Sequence, residues 1–231
     1  MIAVVADVHA SLGRMLEIED LLPMGFGKGD YLLVAGDFSF VYECEGTIGF
    51  FKERDDLDFL ATRPYTILFI DGNHENFHRL NKYPVEEWQG GRVHIIRPNI
   101  LHLMRGEIFE IDGKTVFAMG GGYSHDRASR REGVSWWAEE MPSEEEYIRA
   151  VESLDRVNRR VDLVLTHTAP EKAVAMLRFF GDHHEQRLQS FLSYIYETVE
   201  FDTWCFGHFH IDRRNVLDKV HAVCAFPFII K

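Results

Sequence analysis

The sequence predicts a single α/β domain in which mixed β-sheets are covered by helices. Three observations point there. The first third of the chain alternates short apolar runs with stretches of helical spacing. The middle crowds several strand-like runs together. No linker, repeat or low-complexity segment interrupts residues 1–231.

Residues 2–6 (IAVVA) read as a strand, 12–22 (LGRMLEIEDLL) as a helix, and 31–35 (YLLVA) as a second strand. Residues 48–61 read as a helix and 65–70 (YTILFI) as a third strand. Strands this short, apolar on both faces and separated by helices, are the mark of parallel pairing in βαβ units. The runs RVHIIR, LHLMRG, EIFEI and KTVFAMG predict an antiparallel meander over residues 92–118, with Asp112-Gly113 as a hairpin turn. A polar loop (121–142) follows. A helix then opens at PSEEEY, with Ser143 as N-cap and Glu146 in the capping-box position. VDLVLT (161–166) is a strand, and 171–199 is mostly helical with a break at Gly181. A strand at 203–206 and a terminal hairpin over 215–230 close the chain.

Composition narrows the function. A net charge of −12 repels long polyanions and argues against a protein that coats duplex nucleic acid. A small phosphorylated substrate is still compatible, because bound divalent cations reverse the local field. The three cysteines, Cys44, Cys205 and Cys224, form no paired framework, which suggests a reducing compartment. The opening MIAVVADVHA lacks the pattern of a signal peptide. No apolar run approaches the roughly 18 residues of a membrane span. A soluble, cytoplasmic protein is the expectation.

Chemistry-bearing residues gather where apolar strands end. After IAVVA come Asp7 and His9; after YLLVA, Gly36-Asp37; after YTILFI, Asp71-Gly72-Asn73-His74-Glu75. After VDLVL come Thr166-His167-Thr168, and after DTWCF come Gly207-His208-Phe209-His210. Asp, Asn, Gly and His are common turn formers, so one such end means little. Ligand sites of α/β sheets lie outside the carboxyl ends of strands, and five such ends point to one cluster. An extended backbone would aim His208 and His210, two residues apart, at the same face. Carboxylate, imidazole and amide oxygen together suit Mn, Fe or Zn. Two such ions sharing a carboxylate can clamp both ends of an in-line displacement at phosphorus.

The ordered series D-x-H, GD, GNHE, THT and GHFH, spanning residues 7 to 210, resembles the calcineurin-like metallophosphoesterase superfamily, in particular its small bacterial and phage members. The resemblance implies a sandwich of two mixed β-sheets flanked by helices. It also implies a first metal on Asp7, His9, Asp37 and His210, and a second on Asp37, Asn73, His167 and His208, with Asp37 bridging. The nucleophile would be a metal-bound hydroxide, Asp37 and His74 the catalytic residues, and Asn73 and His74 would touch the phosphate. The sequence departs from the protein-phosphatase branch. Gly36-Asp37 is followed by Phe38-Ser39-Phe40-Val41, without the second Asp and the Arg that serve that site. This favours a small-molecule or nucleotide phosphoester over a phosphoprotein. The carboxylate that would orient His74 is missing from its place, and Glu75 or Glu43 are the stand-ins on offer.

The block GGGYSHDRASRREGVSWWAEE (120–140) is the other polar concentration. Its glycines allow close backbone approach. Arg127, Arg130 and Arg131 could clamp phosphate oxygens. Trp136 and Trp137 are more suited to packing than to stacking a base, and His125 lies close to the arginines. His78, His94, His102 and His221 are expected in surface or core duty, His183-His184 at the surface, and Asp71 in backbone hydrogen bonds that support its loop. Two other readings stay open: a phosphodiesterase acting on short nucleic acid, and a non-catalytic scaffold that keeps the fold. The oligomeric state is not specified by any of these features.

Overall fold

A computed structural model describes residues 1–179 and 183–230. The chain begins with β1 (Ile2–Val5), α1 (Leu12–Leu21), β2 (Tyr31–Ala35), α2 (Ile48–Leu60) and β3 (Thr66–Ile70). The Ser11 and Thr47 hydroxyls cap the two helices by accepting from Arg14 N–H and Phe50 N–H. Next come α3 (Phe77–Leu80), β4 (Val85–Trp88), β5 (Gly91–Arg97) and β6 (Ile100–Leu103). β7 (Glu107–Ile111), β8 (Lys114–Met119), α4 (Glu144–Arg156) and β9 (Arg160–Thr166) follow. The rest is α5 (Glu171–Met176), α6 (Gln186–Thr198), β10 (Glu200–Phe206), β11 (Arg213–Leu217), β12 (Val220–Ala222) and β13 (Phe228–Ile230). The expected break at Gly181 falls outside the described residues.

Two mixed sheets result. One runs β13-β1-β2-β3-β6-β5-β4 and the other β11-β12-β10-β9-β8-β7. β1, β2 and β3 pair in parallel, as do β8, β9 and β10. Their facing surfaces share one core, in which Leu33, Leu68 and Ile70 meet Phe109, Val116 and Leu165. Outside it, α1 and α2 bury Met15, Ile18 and Leu57 against the first sheet. α4 and α6 bury Leu154 and Leu192 against Phe117 and Trp204 of the second. Coverage on both faces explains why these strands read as unbroken apolar runs. Ser143 and Glu146 form the expected capping box of α4, and Asp112-Gly113, both at positive φ, turn β7 into β8.

The meander expected over 92–118 is not one sheet. β6 pairs in parallel with β3 and antiparallel with β5, whereas β7 and β8 belong to the other sheet. The chain changes sheets at Gly106 (φ +75°), where a Cβ would stand 2.8 Å from the backbone nitrogen of Ala150 in α4. The close approach of α4 leaves no room for a side chain there, and the left-handed backbone of Gly106 turns the chain between the sheets. The terminal hairpin also stops short: β11 and β12 pair antiparallel, but β13 returns to the first sheet beside β1. Asp212 turns the chain by accepting from the N–H groups of Cys224, Ala225 and Phe226. β4 carries no strand signal in the sequence, because VEEW has no apolar run and its side chains are largely exposed.

The topology sets up the site. Three adjacent parallel strands of one sheet (β1, β2, β3) and two of the other (β9, β10) deliver their carboxyl ends to the same edge of the sandwich.

Candidate metal centre

Ligating atoms of Asp7, His9, Asp37 and His210 all lie within 4.8 Å of one another. His9 Nε2 stands 3.1 Å from His210 Nε2 and 3.6 Å from Asp37 Oδ2. Asp37 Oδ1 faces a second group, 3.5 Å from His167 Nε2. There His208 Nδ1 is 3.0 Å from Asn73 Oδ1 and 3.2 Å from His167 Nε2, and His167 Nε2 is 3.0 Å from Asn73 Oδ1. All seven residues expected as ligands therefore meet in one place, with Asp37 between the two groups.

A family model of calcineurin-like phosphoesterases matches residues 1–212. The chain belongs to that family. This phosphoesterase is also similar to a lariat debranching enzyme of Drosophila melanogaster, with 25% identity over 245 aligned positions. That alignment takes in 96% of this chain but 45% of the relative, so the chain spans less than half of that protein's length.

The donor set fits metal ions. Among the described residues, the buried Asp7 Oδ2 has no hydrogen-bond partner, while Asp7 Oδ1 accepts from His208 N–H. Burial pushes the Asp7 carboxyl up to about 6, with the neighbouring Asp37 adding to it. Burial also acts to raise Asp37, but the imidazoles of His167, His74 and His9 outweigh it and hold that carboxyl low. Burial brings His9 down to about 4 and His208 well below the usual imidazole range. His9 and His208, held neutral, offer free lone pairs beside the two buried carboxylates, whereas burial acts to lower His167 but Asp37 and Asp7 outweigh it and raise its pKa. Glycines supply the clearance. A Cβ on Gly72 would stand 2.1 Å from Asp37 Oδ1, and one on Gly122 would stand 2.9 Å from His167 Cδ2 and 3.5 Å from His208 Nδ1.

The backbone that aims these ligands is unusual. Asp7, His9, Asp37, His208 and His210 all have positive φ, between 50° and 70°. Each such non-glycine residue costs on the order of 1–3 kcal/mol and persists only where surrounding contacts over-determine it. The extended backbone expected for His208 and His210 is therefore absent. The two histidines diverge, one to each group, and strand alternation is not what brings either to the site.

Surrounding contacts hold each ligand in place. His167 Nδ1–H donates to Ala35 O (2.9 Å), which turns Nε2 into the site. Asn73 Nδ2 donates to Ser124 Oγ (3.0 Å), which turns Oδ1 inward, and Ser124 in turn donates to the buried Glu140. The loop carrying Asp37 is gripped by Glu75, whose carboxylate accepts from Phe38 N–H (3.0 Å) and Ser39 N–H (3.2 Å). Glu75 is thus occupied with backbone rather than with His74. Asp71 supports its loop through the backbone as expected, its carbonyl accepting from Gly121 N–H (3.0 Å), and its carboxylate also meets side chains: Arg105 Nε at 2.8 Å and His102 Nε2 at 3.1 Å. Burial would raise its pKa, but Arg105 and His102 hold it far below the carboxylate range.

The arginines divide. Arg130 lies against the His74 ring, its two terminal nitrogens 3.1 and 3.2 Å from the ring nitrogens. Arg127 pairs with Glu140 and sits between the Tyr123 and Trp136 rings, 4.1 and 4.3 Å from their centroids. Arg131 is exposed and builds the loop through its main chain, donating N–H to Ser135 Oγ. Trp137 is 1% exposed and packs edge-on to Tyr42, as expected of a loop plug. Glu43 lines a cavity of about 360 Å³ that opens beside His9, His74 and Arg130 and continues along Tyr42 and Lys52.

Proposed function

We propose that this chain, read as one catalytic unit over residues 1–231, hydrolyses a small-molecule or nucleotide phosphoester with a pair of divalent cations. The observation that supports it best is Asp37, whose two oxygens face two separate donor groups. Asp7, His9, Asp37 and His210 would hold one ion, and Asp37, Asn73, His167 and His208 the other. Manganese is preferred, with iron or zinc also suited to these oxygen and nitrogen donors. Such a pair, when bound, acidifies a water molecule into a nucleophile and draws charge from the phosphoryl oxygens.

The protein's own residues supply the positioning. Asp37 Oδ1 accepts from His74 N–H at 2.8 Å, which ties the His74 loop to the centre. Burial lowers the pKa of His74. Its neutral ring is suited to hydrogen-bonding a phosphoryl or leaving oxygen. Arg130, held by Asp126 through Nε (2.7 Å), presents its terminal nitrogens beside His74, where an anion would accept a charge-assisted hydrogen bond from them. We assign substrate contact to Asn73, His74 and Arg130, and withdraw Arg127 and Arg131 from that role. Arg130→Ala is expected to raise KM about tenfold or more, the loss of one charge-assisted hydrogen bond. Arg131→Ala is expected to leave KM unchanged, and steady-state kinetics on one substrate compares the two.

A second reading, a phosphodiesterase acting on short nucleic acid, is favoured by the similarity to a lariat debranching enzyme and by room for a second ester substituent beside His74. The net charge of −12 speaks against long duplexes in either case. The three unpaired thiols support a reducing compartment, the cytoplasm. Among the described residues no helix is long and apolar enough to cross a membrane. The test is turnover of p-nitrophenyl phosphate and of its bis-ester by the Mn²⁺-loaded protein. Hydrolysis of at least one is expected, and the ratio ranks the two readings. Inertness towards both esters defeats them together.

A further inference from the structure

His208 presents its two ring nitrogens to different surroundings. Nδ1 faces Asn73 and His167, whereas Nε2 points the other way and lies 3.4 Å from Oε1 of Glu185. Glu185 immediately precedes α6 and is 1% exposed. Its carboxylate is held firmly. Tyr123 N–H donates to Oε1 at 3.0 Å, and Thr168 Oγ1 and Gln189 Nε2 donate to Oε2 at 3.2 and 2.5 Å. Two of these donors adjoin residues of the site, Tyr123 beside Gly122 and Thr168 beside His167.

Burying a charge at this depth is costly, and Tyr123, Thr168 and Gln189 could be satisfied by a neutral acceptor. A carboxylate gains most where it accepts an imidazole N–H. It then fixes the tautomer and ring orientation and makes the opposite nitrogen more basic. His167 achieves the same result with a backbone carbonyl, Ala35 O. His208 has Glu185 at the corresponding nitrogen.

We infer that Glu185 is a positioning residue for the second cation: it accepts a hydrogen bond from His208 Nε2–H and so keeps the ring proton on Nε2, leaving Nδ1 unprotonated and aimed at that ion's place. This rests on the two-cation reading above. Because Glu185 faces none of Asp7, His9 and His210 in the contacts described, its influence is confined to one of the two ions.

Two measurements on the full chain test it. In the chelator-treated wild type, ¹⁵N-histidine NMR should place the His208 proton on Nε2, the resonance being assigned by its loss in His208→Gln. A proton on Nδ1 overturns the inference whatever the metal content. In Mn²⁺ titrations followed by calorimetry and by the EPR signal of coupled manganese, wild type should bind two equivalents. Glu185→Gln should weaken the second by about 10–100-fold and leave the first unchanged, with metal-free melting close to wild type. Unchanged binding of both equivalents overturns the inference, and so does parallel loss of both with early melting, which marks a merely structural role. If wild type itself binds fewer than two equivalents, the two-cation reading fails, and the imidazole proton still decides the His208–Glu185 contact.

Discussion

Asp37→Asn is expected to lower turnover by at least about 10³-fold, some 4 kcal/mol of transition-state stabilisation, and to reduce bound metal from two equivalents to one at most. Asp37 is the side chain that faces both His9 and His167, and its carboxamide would present N–H groups to one of them in place of an oxygen. The same substitution should also lower stability without metal. Burial acts to raise Asp37, but the His167, His74 and His9 imidazoles and the His74 N–H hold its carboxyl low, so its charge stabilises the folded chain at neutral pH. In chelator, Asp37→Asn should melt below wild type, and with Mn²⁺ the gap should widen, because ligand binding stabilises only the form that binds it. Metal analysis, kinetics and paired melting curves check all three. A variant that keeps turnover within about tenfold of wild type contradicts the account.

Arg105→Met should have the largest effect on folding. Arg105 is 4% exposed, and its guanidinium bonds Asp71 Oδ2 through Nε (2.8 Å) and Nη2 (2.5 Å), Glu146 through Nη1 (3.2 Å), and Glu139 O (2.9 Å). Methionine would fill much of the volume but leave the Asp71 carboxylate buried with His102 alone. Removing one partner of a buried pair costs about 3–5 kcal/mol. For a chain of this size that is a fall in Tm of roughly 10 °C. Asp71 O also accepts from Gly121 N–H, so the Gly72–Glu75 and Gly120–Ser124 segments should loosen together. Denaturant melts of the metal-free variant give the number, and a loss below about 1 kcal/mol contradicts this assignment.

The ligands were legible because the strands that carry them are short and buried on both faces. Such strands show their carboxyl ends in the sequence as the point where apolar runs stop at Asp, Asn or His. How those side chains are aimed was hidden. The positive φ of Asp7, His9, Asp37, His208 and His210 is set by contacts from distant segments, such as Glu75 on the backbone of Phe38 and Ser39. Without them, strand alternation offered a plausible but wrong reason for pairing His208 with His210. The sheet change comes at Gly106, a left-handed position packed against α4 some forty residues later, and no local pattern announces it. Arg127, Arg130 and Arg131 look equivalent in sequence. Glu140 sets Arg127 apart from the others, and that buried carboxylate reads as one more charge in an acidic loop. Glu185 and Arg105 carry no motif at all. Their importance lies in burial beside a ligand, or beside a neighbour of one, which only tertiary structure supplies.

The central claim is that two cations lie side by side with Asp37 between them. Anomalous diffraction from crystals soaked in Mn²⁺ tests it most directly. Two peaks are predicted, one among Asp7, His9, Asp37 and His210 and one among Asp37, Asn73, His167 and His208. A single peak away from Asp37, or none at saturating Mn²⁺, would contradict it.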